Sequence, residues 1–129
     1  KAKARALGVE QQVLFPGYRT DVFRFYGIAD LFLFPSLQEG LPVAVMEAMA
    51  AGLPVLASAV RGNRDLILPG AGGELLPPHA AEAWEKNVSI LLRDCKKREA
   101  YGQYNRLRIG AFSREENEKK MREIYARYD

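Results

Sequence analysis

The chain has 129 residues with 48% hydrophobic and 27% charged content, which fits one globular domain with a sizeable core and excludes a disordered or low-complexity protein. The single cysteine, Cys95, excludes an internal disulfide and a cysteine metal site. The formal charge of +3 is uneven, with 8 basic and 9 acidic residues through Leu92 and 11 basic and 7 acidic from Arg93 onward; the later charges alternate in sign, which marks a solvated helix face rather than a nucleic-acid surface.

Residues 1 to 10, KAKARALGVE, read as the end of a helix. The run VLF at 13 to 15 is predicted as a strand and RTDVFRFYGIA at 19 to 29 as the helix after it. LFLF at 31 to 34 is the next strand, followed by a helix from about Pro42 to Ala51. Pro42 suits a first helical position, Gly52 the residue just past the end, and Pro54 stops continuation. This helix is apolar nearly all round, which predicts that it lies inside the domain. PVLAS at 54 to 58, RGNRDLI at 61 to 67 and GELL at 73 to 76 continue the alternation of strand and helix.

The order βαβα, with continuously apolar strands, predicts an α/β fold whose parallel sheet is covered on both faces. Right-handed crossovers then bring the loops after the strands to one sheet edge, where open α/β folds bind ligands. From Ala80 the chain reads as helical to its end, in two or three pieces broken near Cys95 and near Gly110 to Ser113. Ser113 with Glu116 makes a capping box for the last piece, and Trp84, Val88, Leu91 and Leu92 form a core-facing stripe. Residues 40 to 60 come nearest to a membrane span, but Pro42, Glu47, Gly52 and Pro54 divide them. With no signal peptide, a cytoplasmic location is expected.

The stretch QEGLPVAVMEAMAAGLPVLASAV raises the functional question. Glu39 and Glu47 stand eight positions apart, and Glu47 is the only charge between Gly40 and Val60. Glutamate is almost never fully buried without a partner. The free N–H groups where the helix opens at Leu41 and Pro42, with the positive end of its dipole, suit a phosphate, and Gly40 lets a ligand approach the backbone. Two carboxylates at different depths could accept hydrogen bonds from the hydroxyls of a sugar and of a ribose. The bland alternative makes Glu39 a solvated loop residue and pairs Glu47 with a basic neighbour; the glutamates alone leave both open. No GxGxxG, GxxxxGK[ST], Ser/His/Asp grouping or metal-ligand spacing appears, and His79, beside Pro77 and Pro78, reads as a loop or cap residue.

The ordered set F-x-G, D-x-F-x-x-Y-x-x-A-D, PS-x-x-EG, the two glutamates, GLPV and VRGNRDLI, spread over residues 13 to 76, resembles the donor half of a retaining glycosyltransferase of the family 4, or group 1, type. The resemblance implies a Rossmann-like sheet flanked by helices, the C-terminal half of a GT-B fold, with residues 1–129 as a single partial nucleotide-sugar-binding domain and 80–129 as its helical C-terminal segment. It implies that Glu39, as the catalytic-site carboxylate, contacts donor sugar hydroxyls near the reacting carbon and that Glu47 binds the ribose hydroxyls. Backbone N–H groups around Gly40 and Leu41 would hold the diphosphate. Gly17, Tyr18 and Arg19 match the loop bordering the base, and Ser36 matches a hydroxyl near the nucleotide. Arg61 replaces the first glycine of a Gly-Gly turn that Gly62 completes, with Asp65 standing near the family's acid; Arg61 and Arg64 read either as part of this variant motif or as a surface pair.

The same resemblance implies a UDP-, GDP- or ADP-sugar donor and a glycan or lipid-linked acceptor, with neither cofactor nor metal and no nucleic acid, in the building of a bacterial polysaccharide. A lipid-linked acceptor and the basic tail leave room for peripheral contact with the inner face of the membrane. The family's first donor-domain strand, its Arg/Lys segment and its acceptor domain have no match here, so the chain is expected to be a fragment that binds nucleotide weakly without sustained transfer. The competing readings are a related nucleotide-sugar epimerase or phosphorylase, the latter without a suitable pyridoxal-phosphate lysine, and a non-catalytic flavodoxin-like α/β nucleotide-binding module.

Overall fold

Three short apolar runs pair into one parallel sheet in the computed structural model, which describes residues 1–113 together with Glu115 and Glu118. The strands are β1 (Phe32–Phe34), β2 (Val55–Ser58) and β3 (Gly73–Leu76), in the spatial order β1-β2-β3. Phe32 lies opposite Val55 and Phe34 opposite Ala57, while Val55 faces Gly73 and Ser58 faces Leu76. The helices are α1 (Ala2–Ala6), α2 (Phe23–Tyr26), α3 (Val43–Ala50), α4 (Arg61–Leu66), α5 (Ala81–Arg93) and α6 (Cys95–Gly110), with a 3-10 turn at Glu10–Gln12. Because α3 and α4 are the crossovers β1-α3-β2 and β2-α4-β3, the loops that follow the three strands all emerge at one edge.

The middle strand separates two cores. Side chains alternate across a strand, so Val55 and Ala57 join Val45, Ala48, Met49, Leu53, Leu66 and Ile67 on one face, whereas Leu56 meets Leu76, Leu91 and Tyr101 on the other. All four residues of β2 are buried, as expected for a strand covered on both sides. The α/β Rossmann-like architecture read from the sequence is therefore present.

Several local expectations are corrected. Val13–Phe15 form no strand among the described residues; a strand needs a ladder partner, and β-propensity does not supply one. The helix expected over 19 to 29 is confined to Phe23–Tyr26. Pro42 is the N-cap of α3, with ψ 104°, rather than its first helical residue. Nor does α3 lie wholly inside: Val45, Ala48 and Met49 are buried, but Val43, Glu47 and Ala50, at spacings of four and three, form an exposed stripe. Leu92 also turns outward, at 54% exposure, while Trp84, Val88 and Leu91 pack as predicted.

The ends of α3 and α6 follow their sequence signals. Gly52 adopts φ +80°, and the N–H groups of Gly52 and Leu53 return to the carbonyls of Met49 and Ala48, closing α3 with a Schellman pattern. Asp94 separates α5 from α6, its carboxylate accepting from the Lys97 N–H at 2.9 Å. The buried Asn105 of α6 donates to the carbonyls of Leu53 and Gly72, both at 2.7 Å. Those carbonyls precede β2 and β3, so α6 braces the sheet edge opposite the post-strand loops. The proposed capping box on Ser113 lies outside the described residues at Glu116.

Candidate functional site

The loop leaving β1 turns back across Pro35 to Leu41 before α3 begins. Within it the Ser36 hydroxyl donates to Glu39 Oε1 at 2.6 Å and lies 3.2 Å from the Gln38 carbonyl oxygen. Glu39 is half-buried, not a freely solvated loop residue. It lines a cavity of about 560 Å³ with Leu37, Gln38, Gly40, Arg61 and Asp65, at the sheet edge where the crossovers bring the loops together.

The far wall is the first turn of α4, and its placement depends on one glycine. A Cβ at Gly62 would collide with the Gly40 carbonyl and sit 3.1 Å from that of Glu39. The absence of a side chain thus lets α4 press on the glutamate loop. Buried Asn63 fixes this turn to the end of β2 by donating to the Ser58 carbonyl at 2.8 Å. The two arginines of RGNRD separate here: Arg64 Nε donates to the Ala59 carbonyl at 3.1 Å, whereas Arg61 lines the cavity. Among the described residues Arg61 has no hydrogen-bond or ion-pair partner.

Glu47 has a partner, but it is not basic. The Tyr26 hydroxyl donates to Glu47 Oε2 at 3.1 Å. Tyr26 is 9% exposed and packs edge-on against Phe32, with centroids 5.8 Å apart. Burial, then the bond and charge of Glu47, push its hydroxyl up to about 12, so it stays a donor at ordinary pH. Glu47 itself is exposed, and Oε1 has no partner among the described residues.

The remaining expected site residues are placed apart. Gly17 turns the chain with φ +71°, and Tyr18 stands 94% exposed. Arg19 grips Asp21 through Nε at 2.8 Å and Nη2 at 2.7 Å, which holds the Asp21 carboxyl below its ordinary range. Tyr18, Arg19 and Asp21 line a second cavity, of about 540 Å³, with Phe23 and Arg24, and Gly17 is not part of its lining. Leu41 is 55% exposed and outside the Glu39 cavity. The structure therefore groups Glu39 and Gly40 with Arg61, braces Glu39 with Ser36, and places Tyr18 and Arg19 in the lining of a different cavity. No group of His, Cys, Asp and Glu able to hold a metal occurs among the described residues, and none of their helices is long and apolar enough to cross a membrane.

The bond between Tyr26 and Glu47 is not among the expectations from sequence. Its signal was chemical: a tyrosine buried in an apolar segment needs a hydroxyl partner, and Glu47 is the one charge in the following apolar stretch.

The profile of the family described as glycosyl transferases, group 1, matches residues 1–108. EpsD of Bacillus subtilis (strain 168) is 30% identical over 125 residues, covering 97% of this chain and 33% of that protein. Sucrose-phosphate synthase from Thermosynechococcus elongatus superposes with a TM-score of 0.88 at 28% identity, over 98% of this chain and 33% of that one. Anabaena HepE, solved in complex with UDP-glucose, superposes with a TM-score of 0.80 at 25% identity, over 84% of this chain and 30% of that one. The chain thus spans about a third of the length of these relatives.

Proposed function

This chain belongs to the glycosyl transferases, group 1, and from that premise we propose that it is the nucleotide-sugar-binding part of a retaining glycosyltransferase that transfers a sugar to a glycan or lipid-linked acceptor in bacterial polysaccharide synthesis. The observation that carries the reading is Glu39, tethered to Ser36 and facing a cavity at the ends of parallel strands. A carboxylate held in this way accepts hydrogen bonds from donor sugar hydroxyls beside the reacting carbon. The first-turn N–H groups of α3 and its dipole favour the diphosphate that departs. Glu47 takes the ribose, and the Gly17–Arg19 loop borders the base. UDP is the preferred nucleotide, on the likeness to HepE, whose structure contains UDP-glucose.

In this reading residues 1–129 are one part of a donor-binding domain, and the acceptor is held by the rest of a protein of the relatives' length. The enzyme works in the cytoplasm, at the inner membrane face where its acceptor is lipid-linked. The 129 residues alone are expected to bind nucleotide without sustained transfer, because positioning donor against acceptor supplies much of the catalysis.

Ligand-observed NMR with UDP, GDP, ADP and their glucose conjugates tests the reading, alongside Glu39→Ala and Glu47→Ala chains verified as folded. Binding of one nucleotide that Glu47→Ala weakens, with an added increment from the sugar that Glu39→Ala removes, is the expected result. Equal binding of every nucleotide by all three chains, or by none, would favour a non-catalytic α/β module.

A further inference from the structure

The contact between Tyr26 and Glu47 joins two segments 21 positions apart, and nothing in the sugar-side cavity requires it. The hydroxyl lies at the margin of the core, its ring packed against Phe32 and its donor aimed at Oε2 of an otherwise exposed carboxylate. Glutamate on an open helix face ordinarily samples several rotamers, and their loss costs free energy whenever a ligand is bound. One fixed hydrogen bond from a buried, uncharged donor removes part of that cost in advance. It also divides the carboxylate: Oε2 is engaged by the protein, and Oε1 is presented to whatever meets α3.

We propose that Tyr26 is a positioning residue that orients Glu47 for the vicinal hydroxyls of a nucleotide ribose, and so sets the preference for ribo- over deoxyribonucleotides. The inference rests on the donor-site reading above. Tyr26 touches no ligand and acts only through Glu47. Burial and the Glu47 carboxylate push the hydroxyl up to about 12, so it remains a donor at ordinary pH. The edge-on Phe32 ring fixes the tyrosine in turn, linking β1 to the ribose carboxylate.

The test is the ratio of affinities for UDP and 2′-deoxy-UDP in four chains: unaltered, Tyr26→Phe, Glu47→Ala and the double variant. Phenylalanine keeps the buried ring and deletes only the hydroxyl. The expected result is that Tyr26→Phe lowers the ratio by about threefold to tenfold, the range of one hydrogen bond, and that it lowers it no further once Glu47 is alanine. A ratio unchanged in Tyr26→Phe but lost in Glu47→Ala overturns the inference and leaves the donor-site reading standing. A ratio that Glu47→Ala does not change, or no nucleotide binding at all, overturns both. Should Tyr26→Phe not fold, the Tyr26 ring resonances of the unaltered chain decide: they are expected to shift with UDP and much less with 2′-deoxy-UDP, and equal shifts overturn the inference.

Discussion

Ser36 and Glu39 form a short hydrogen bond, 2.6 Å from hydroxyl to Oε1, within one turn of loop. An O–H donor to a carboxylate at this distance is of the strong, charge-assisted kind. It holds the glutamate rotamer in the loop.

The first prediction follows from that tether. Ser36→Ala should weaken binding of UDP-glucose by about threefold to tenfold while leaving UDP alone little changed, because under the donor-site proposal only the sugar meets Glu39. Parallel titrations of the two ligands decide it, and an equal loss for both would place Ser36 at the nucleotide instead.

Gly62 gives the second. A methyl group at this position meets backbone, not a flexible side chain, so either the Glu39–Gly40 loop or the first turn of α4 must move. Gly62→Ala should cost about 1–3 kcal/mol of stability, the usual range for overpacking, and should weaken UDP-glucose more than UDP. Thermal unfolding and the same titrations check both halves; an unchanged melting temperature would mean that the close approach is relaxed in solution.

Much of this arrangement was legible in the sequence, for identifiable reasons. β1, β2 and β3 stood out as apolar runs bounded by glycine and proline, and Gly52 announced the end of α3 because only the left-handed region satisfies its Schellman closure. Glu39 and Glu47 were conspicuous as charges in apolar surroundings. Pairing in space was not legible. Val13–Phe15 has the composition of a strand but no ladder partner among the described residues, and Val43 and Val45 look alike although one is 64% exposed and the other fully buried. The Tyr26–Glu47 bond joins α2 to α3 over 21 positions, with β1 between them, and no local spacing reports it.

Two buried tyrosines couple the stability of the fold to alkaline pH. Tyr26 beside Glu47 and Tyr101 beside Glu74 are both pushed up to about 12, first by burial and then by the neighbouring carboxylate. A tyrosine whose folded value exceeds its unfolded value of about 10 contributes stability in full below that pH. As pH rises from about 10 to about 12, the unfolded chain releases protons that the folded chain retains, so the contribution is lost. Denaturant unfolding should therefore show stability falling across that window. The fall should be shallower in Tyr26→Phe and Tyr101→Phe; a slope identical in all three chains would contradict the assignment.

The arginines of RGNRD divide between structure and site. Arg64 satisfies the Ala59 carbonyl from the outside of α4, so Arg64→Ala should lower stability by up to about 1 kcal/mol and leave nucleotide binding intact. Arg61 faces the Glu39 cavity without a protein partner among the described residues; under the donor-site proposal a guanidinium there would oppose the charge of a departing diphosphate, for which a planar fork is well suited. Arg61→Ala should leave the melting temperature unchanged and weaken UDP more than uridine, with partial recovery in Arg61→Lys, since lysine restores the charge but not the bidentate geometry. The nucleoside comparison is what decides between the roles: equal loss for uridine and UDP would mean that Arg61 shapes the cavity rather than meeting the anion.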